Sequence, residues 1–270
     1  MKLSFLIAVI FFTSCATAKE KHFTGSTPAN AIVKSFLGIP LTDSIDFIRW
    51  KLQIDEDHYN LHCNYGIGKP NTDGFINGGR HVNLEGSFIK QGHYYRLHQP
   101  GKELGLMELN PDLLFMLDEN KNLLVGNAGW SYVLNNETPE YNGRLNISSK
   151  SFNPKDSMVY QGRTPCHNFP GVDVNHCNKL KWSLVLFTDP QTGQPSYYKM
   201  EFTAFRREGV KTGKWSVVNT NGGVQLFKLE FAEAGVIFLL PLDNSILVFT
   251  KENAVPLVGN RNFSFILNRY

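Results

Sequence analysis

The chain lacks the local signatures of common catalytic machinery. Its 270 residues contain no G-x-S-x-G elbow, no H-E-x-x-H pair, no Walker A loop and no Rossmann glycine set. That removes any motif-based reason to assign an enzyme, although a pair of carboxylates would leave no local trace. Charge of one sign is also lacking. Lys and Arg number 27 against 24 Asp and Glu, a net charge of +3, and the basic residues do not cluster along the chain. No electrostatic footprint for nucleic acid or an acidic polymer follows. The acidic run Asp55 to Asp57 lacks the glycine and terminal glutamate of a calcium loop and reads as a solvated hairpin tip. After the first dozen residues no stretch is apolar and long enough to span a bilayer as a helix. Cysteine is scarce, with four in all.

What the chain has is repetition. Leu124-Val125-Gly126-Asn127, followed by Trp130-Ser131-Tyr132-Val133-Leu134-Asn135, returns 133 residues later as Leu257-Val258-Gly259-Asn260 and Phe263-Ser264-Phe265-Ile266-Leu267-Asn268. A second anchor, Arg49-Trp50-Lys51-Leu52, returns at an offset of 132 as Lys181-Trp182-Ser183-Leu184. Blocks that hold register this closely read as a duplicated module. Each copy, at roughly 110 residues, is large enough for its own core.

Strand periodicity dominates both copies. Ile48, Trp50, Leu52 and Ile54 alternate with Arg49, Lys51 and Gln53; Leu180, Trp182, Leu184 and Leu186 alternate with Lys181 and Ser183. The shared parity points both tryptophans inward. Trp130, Tyr132 and Leu134 match Phe263, Phe265 and Leu267 in a terminal strand. Three turns are expected in common: Asp55 to His58 with Asp189 to Gly193, Asn77 to Gly79 with Lys211 to Gly213, and Asp118 to Lys121 with Lys251 to Ala254. About eight short strands per module predict an all-β chain of two tandem small antiparallel barrels, or strongly curved sheets, with a sandwich as the alternative. A short helix is expected between Pro28 and Leu37, capped by Thr27.

The start of the chain reads as an export signal: Lys2, an apolar run from Leu3 to Phe12, then small residues. Phe12-Thr13-Ser14-Cys15 has the form of a bacterial lipobox, in which Cys15 would be lipidated, while Ala16-Thr17-Ala18 offers an ordinary cleavage site. The expected organisation is signal and lipobox over 1–18, a polar tether over 19–31, module 1 over 32–136, a linker over 137–157 and module 2 over 158–270. A membrane partner reached through the lipid, and a cell-envelope location, follow from the lipobox reading.

Cys166-His167 and His176-Cys177 are the sharpest local cluster, in a segment that looks like an insertion: Gly162 to Trp182 spans 20 residues where Gly38 to Trp50 spans 12. An oxidising envelope favours a disulfide between Cys166 and Cys177. Copper or zinc bound by Cys166, His167, His176 and Cys177 is the alternative, opposed by the divergence of neighbouring side chains in extended chain. Otherwise no cofactor is expected. Cys63 reads as a buried core thiol. Trp50, Trp130, Trp182 and Phe263 either fill the cores or line a cavity for an apolar ligand.

Tyr160-Gln161-Gly162-Arg163-Thr164-Pro165-Cys166-His167-Asn168-Phe169-Pro170-Gly171-Val172, with a later Gly213-Lys214-Trp215, resembles the NlpE-type copper-resistance and envelope-stress lipoproteins. That family carries Y-x-G-x-x-P-C-x-x-C-x-G-I and a late G-x-W in its N-terminal barrel. The resemblance covers 158–270, with an echo over 32–136 through Phe36-x-Gly38-x-Pro40. It implies lipocalin-like barrels in an outer-membrane lipoprotein. Phe169 stands where the family has its second motif cysteine, so its copper and redox chemistry does not carry over. The function expected is non-enzymatic: binding a small ligand or an envelope protein, sensing, or scaffolding. The metal-responsive protein is the alternative.

Overall fold

The computed structural model describes residues 20–141, 145–146, 157–167, 169, 175, 177–204, 207–231 and 235–270. The chain forms two closed antiparallel barrels of eight strands each, in tandem. Barrel 1 runs β1 (Lys21–Thr27), β2 (Phe47–Asp55), β3 (His58–Gly66), β4 (Arg80–Gln91), β5 (Tyr94–Gln99), β6 (Lys102–Asn110), β7 (Leu113–Leu117) and β8 (Val133–Asn136). Barrel 2 repeats the course with β9 (Met158–Thr164), β10 (Leu180–Thr188), β11 (Pro195–Ala204), β12 (Arg207–Asn219), β13 (Gln225–Phe231), β14 (Gly235–Pro241), β15 (Ile246–Thr250) and β16 (Ile266–Arg269). Each barrel closes by pairing its last strand with its first.

Closure explains a pair of glycines. A Cβ on Gly25 would lie 2.5 Å from the Val133 carbonyl oxygen, and one on Gly162 would lie 2.5 Å from that of Ile266. Only glycine lets the closing strand come so near. Two residues on, Thr27 and Thr164 do matching work. Their hydroxyls accept the indole N–H of Trp50 at 2.8 Å and of Trp182 at 2.7 Å. Each core is therefore built on a buried tryptophan whose single polar group is satisfied by the first strand.

This overturns part of the expected organisation. Lys21–Thr27, read as tether, is the first strand of barrel 1, paired with β2 from Lys21↔Ile54 to Thr27↔Ile48. The counterpart of Gly162 is Gly25, which lies opposite Trp50 as Gly162 lies opposite Trp182. Measured from these glycines, the first connection is 25 residues and the second 20, so barrel 2 carries no insertion. Gly38 instead ends a helix, at φ +70°. Lys211–Gly213, expected as a turn, lies inside β12, where a Cβ on Gly213 would meet the Glu230 carbonyl oxygen at 2.4 Å. The other expected turns are present, with Lys121 and Ala254 both at φ +63°.

The two barrels differ in what plugs one end. In barrel 1 it is α1 (Ala31–Leu37), capped by Asn30, whose Oδ1 accepts the Val33 amide at 3.0 Å; Thr27 is engaged with Trp50 and does not cap. A seven-residue helix has little stability of its own; Val33, Phe36 and Leu37 hold it by packing into the barrel core. In barrel 2 the equivalent stretch carries the Cys166–Cys177 disulfide, Cα atoms 5.9 Å apart. Phe169 is buried there against Trp182 (4.7 Å between centroids), Phe249 (5.1 Å) and Phe265 (5.7 Å).

A third core joins the barrels. Met107, Leu109, Leu113, Phe115 and Val133 from barrel 1 pack with Leu240, Leu242, Ile246, Val248 and Ile266 from barrel 2. The contacts follow a pseudo-two-fold. Asn135 Oδ1 accepts the Gly259 amide at 2.8 Å, and Asn268 Oδ1 accepts the Gly126 amide at 2.9 Å, each asparagine bonding the other half's copy of the repeated Leu-Val-Gly-Asn segment. Both glycines are sterically required: an added Cβ would sit 2.2 Å from the carbonyl oxygen of Trp130 or Phe263. The repeat that betrays the duplication is thus the seam between its products. The start of the expected linker is pinned rather than loose, since the Asp112 carboxylate accepts the amides of Glu140 and Tyr141.

Candidate functional site

Among the described residues each barrel interior holds a cluster of buried apolar side chains. Trp50 and Trp182 are core residues, 1% and 6% exposed, packed among Leu, Phe and Tyr side chains. Cys63 is a fully buried free thiol beside Trp50 in the sheet register, and burial pushes it up. Among the described residues neither tryptophan lines the cavities at the joint or against β2, β3 and β4.

The cavity with the richest chemistry lies where the barrels meet. It encloses about 280 Å³ and is lined by Phe47, Arg49, the loop 68–73, Trp130, Arg163, Lys179, Lys181, Asn262 and Phe263. Much of the lining comes as repeat-related pairs: Arg49 with Lys181, Phe47 with Lys179, Trp130 with Phe263. The cleft therefore sits on the pseudo-two-fold. Trp130 and Phe263, expected either to fill the cores or to line a cavity, are its aromatic walls. Trp130 is half-buried and stacks on Phe47 (4.6 Å, 18°), which stacks in turn on Phe75 (4.3 Å, 22°). Phe263 is buried, with the Lys179 ammonium 5.3 Å from its centroid. The Arg163 guanidinium lies 5.3 Å from the Trp130 ring, so a cation from barrel 2 covers an aromatic from barrel 1.

Five cations line this space: Arg49, Lys69, Arg163, Lys179 and Lys181. Among the described residues the single carboxylate is Asp73, from the β3–β4 loop. Asp73 accepts Nδ2 of Asn178 at 3.0 and 3.1 Å and Nδ2 of Asn262 at 3.3 Å, with Lys179 Nζ 3.8 Å away. Arg49 Nη2 donates to the Asp73 carbonyl and, at 3.0 Å, to Asn262 Oδ1, while its Nε is buried without a partner. Burial lowers Arg49, with the Arg261 charge adding to the effect and Asp73 opposing it. Burial lowers Arg163 as well. Lys179 is lowered by burial and by Arg163 and Lys181, against the pull of Asp73. The cations are crowded together and only partly compensated.

The expected metal cluster looks different in place. Cys166 and Cys177 are bonded to each other, so neither sulfur is a thiolate available to a soft metal unless the bond is first reduced. His167 sits edge-on to Phe265 at 5.1 Å and is lowered by burial, against a backbone hydrogen bond with Val258. His176 and Cys15 lie outside the described residues. Among the described residues no group of three or more His, Cys, Asp or Glu is arranged to hold a metal ion. No helix among them is long and apolar enough to cross a membrane.

The cleft was missed in the sequence because its residues come from seven separate segments, of which only 179–181 brings two cations. The signal that could have found it is the pairing of Arg49 with Lys181 at the repeat offset, one cation in each copy at the same strand position. No protein family, curated protein or solved structure matches this chain.

Proposed function

We propose that the protein is a non-catalytic binding module of the bacterial cell envelope, exported and held at the outer membrane by lipid on Cys15, with the inter-barrel cleft as its recognition surface. The observation that carries the reading is that each barrel holds a buried apolar cluster and the two share a third core. This makes a double scaffold with a chemically distinctive hollow at the joint. The disulfide suits an oxidising compartment. The lipobox form of Phe12 to Cys15 and the resemblance to NlpE-type lipoproteins support the anchor. β1 begins at Lys21, which leaves only five residues between Cys15 and the barrel. A chain lipidated at Cys15 would therefore ride close to the membrane surface.

Metabolic labelling with palmitate tests this. The wild-type protein is expected to take up label and to sediment with membranes, and Cys15→Ala to do neither while still folding. An unlabelled wild-type protein recovered in the soluble fraction would refute the anchor.

A further inference from the structure

We propose that the inter-barrel cleft is an oxyanion site that takes the carboxylate or phosphate of a small ligand, with the Asp73 side chain as its built-in competitor. The proposal rests on reading the cleft as the recognition surface and is independent of the anchor.

Charge across the joint is the first ground. If the cations served only to fasten the barrels together, each should meet an acid from the opposite side. Instead Arg49 of barrel 1 faces Arg163, Lys179 and Lys181 of barrel 2, with one described carboxylate among them. Like charges facing each other across a seam oppose its closure. The apolar third core and the reciprocal asparagines hold the seam without their help.

Occupancy is the second ground. An oxyanion already stands in the cleft, and it is protein. The Asp73 carboxylate receives amide donors from Asn178 and Asn262 and lies beside the Lys179 ammonium, so the donors are already arranged around a carboxylate. Asp73 reaches them from residues 68–73 of the β3–β4 connection, which line the cleft. In barrel 2 the corresponding strands, β11 and β12, stay paired as far as Ala204↔Arg207. Among the described residues the internal anion comes from one half, at a site that both halves line. Arg163 and Lys181 form no ion pair with it or with any other described carboxylate, which leaves them for an incoming group.

Size and shape limit the ligand. A hollow of about 280 Å³ is at the small end for ligand pockets and excludes a polymer. Its walls of Trp130, Phe47 and Phe263 suit a compact ligand with an apolar body behind its anionic head.

The test is calorimetry and thermal unfolding of the purified protein with sodium phosphate and with sodium acetate, against sodium chloride at equal ionic strength. At least one oxyanion is expected to bind saturably and to raise the unfolding midpoint beyond the chloride control. Phosphate alone would identify a phosphate ligand, and acetate alone a carboxylate. Arg163→Gln and Lys181→Gln should each weaken binding by about tenfold, the loss of one charge-assisted hydrogen bond. Asp73→Asn should tighten it, because the competing charge goes while the side-chain shape stays. Two results would overturn the proposal: neither oxyanion exceeding chloride, or exposed Lys199→Gln costing as much as Arg163→Gln. Should Asp73→Asn unfold the loop, the two cation variants still decide. A palmitate-labelled protein that ignores both anions would lose this site and keep its anchor.

Discussion

Asn268 is where the seam between the barrels is most open to attack. It is 2% exposed, its Oδ1 accepts the Gly126 amide, and its Nδ2 donates to Ser131 Oγ at 2.9 Å and to the Asn127 carbonyl at 3.4 Å. Asn268→Ala removes an acceptor from a half-buried N–H and a donor from a buried hydroxyl, together about 2–3 kcal/mol of stability. Asn135→Ala, its partner across the pseudo-two-fold, should cost a similar amount through Gly259 and Asn260. The double variant should depart from the sum of the two, because both act on one interface and the loss of either loosens the other. The assay is urea unfolding followed by tryptophan emission, which reports barrel 1 through Trp50 and barrel 2 through Trp182 and Trp215. With the third core intact the barrels should unfold in one transition, and the double variant should separate them into two. A wild-type protein that already unfolds in two well-separated steps would refute the idea that the seam couples the halves. So would an Asn268→Ala shift below about 0.5 kcal/mol, the size of an ordinary surface substitution.

Three further outcomes are expected. Replacing Cys166 and Cys177 by Ser opens a loop of 12 residues and should lower stability by about 3 kcal/mol, seen as a fall in urea midpoint that reductant reproduces in the wild type but not in the variant. Thr164→Val removes the hydroxyl that accepts the Trp182 indole N–H, at about 1–3 kcal/mol; adding Trp182→Phe should recover much of that hydrogen-bond penalty, and no recovery would count against the assigned role of the hydroxyl. At Glu108, burial pushes the carboxyl up, but hydrogen bonds from Tyr95 and Lys90 and the charges of Lys21 and Lys90 outweigh it and hold the group below the ordinary carboxylate range. Its contribution is therefore complete above the unfolded carboxylate value and disappears as pH falls through the lower folded value. Glu108→Gln should flatten the acid limb of a plot of urea midpoint against pH; a steeper limb would refute the assignment.

The architecture was legible because the barrels repeat their most constrained positions. Gly126 and Gly259 cannot carry a Cβ, and Trp50 and Trp182 anchor equivalent cores, so the offsets survive where surface residues have drifted. β1 escaped for a physical reason. It holds Gly25 and ends on Thr27, a glycine that admits the closing strand and a hydroxyl that serves an indole. Neither scores as apolar, and Lys21–Thr27 therefore looks like polar tether. Trp130 keeps parity with Tyr132 and Leu134, which by itself leaves core and cavity wall both open to it. However, β8 begins only at Val133, so alternation no longer dictates where Trp130 points. The disulfide was favoured from its context alone. The cleft was hidden, since nothing in a linear pattern states that Arg49 and Lys181 face one hollow.

The reciprocal bonding of Asn135 and Asn268 has a consequence for what such a joint can recognise. Two identical subunits meeting on an axis must present the same groups from either side, so whatever binds there sees a palindrome. Joining the copies in one polypeptide keeps the partners permanently near each other and lifts that restriction. Phenylalanine at 47 can answer lysine at 179, and residues 68–73 of one half can add a carboxylate of their own to the lining. The molecule keeps the sturdiness of a symmetric pair while offering a ligand two different hands.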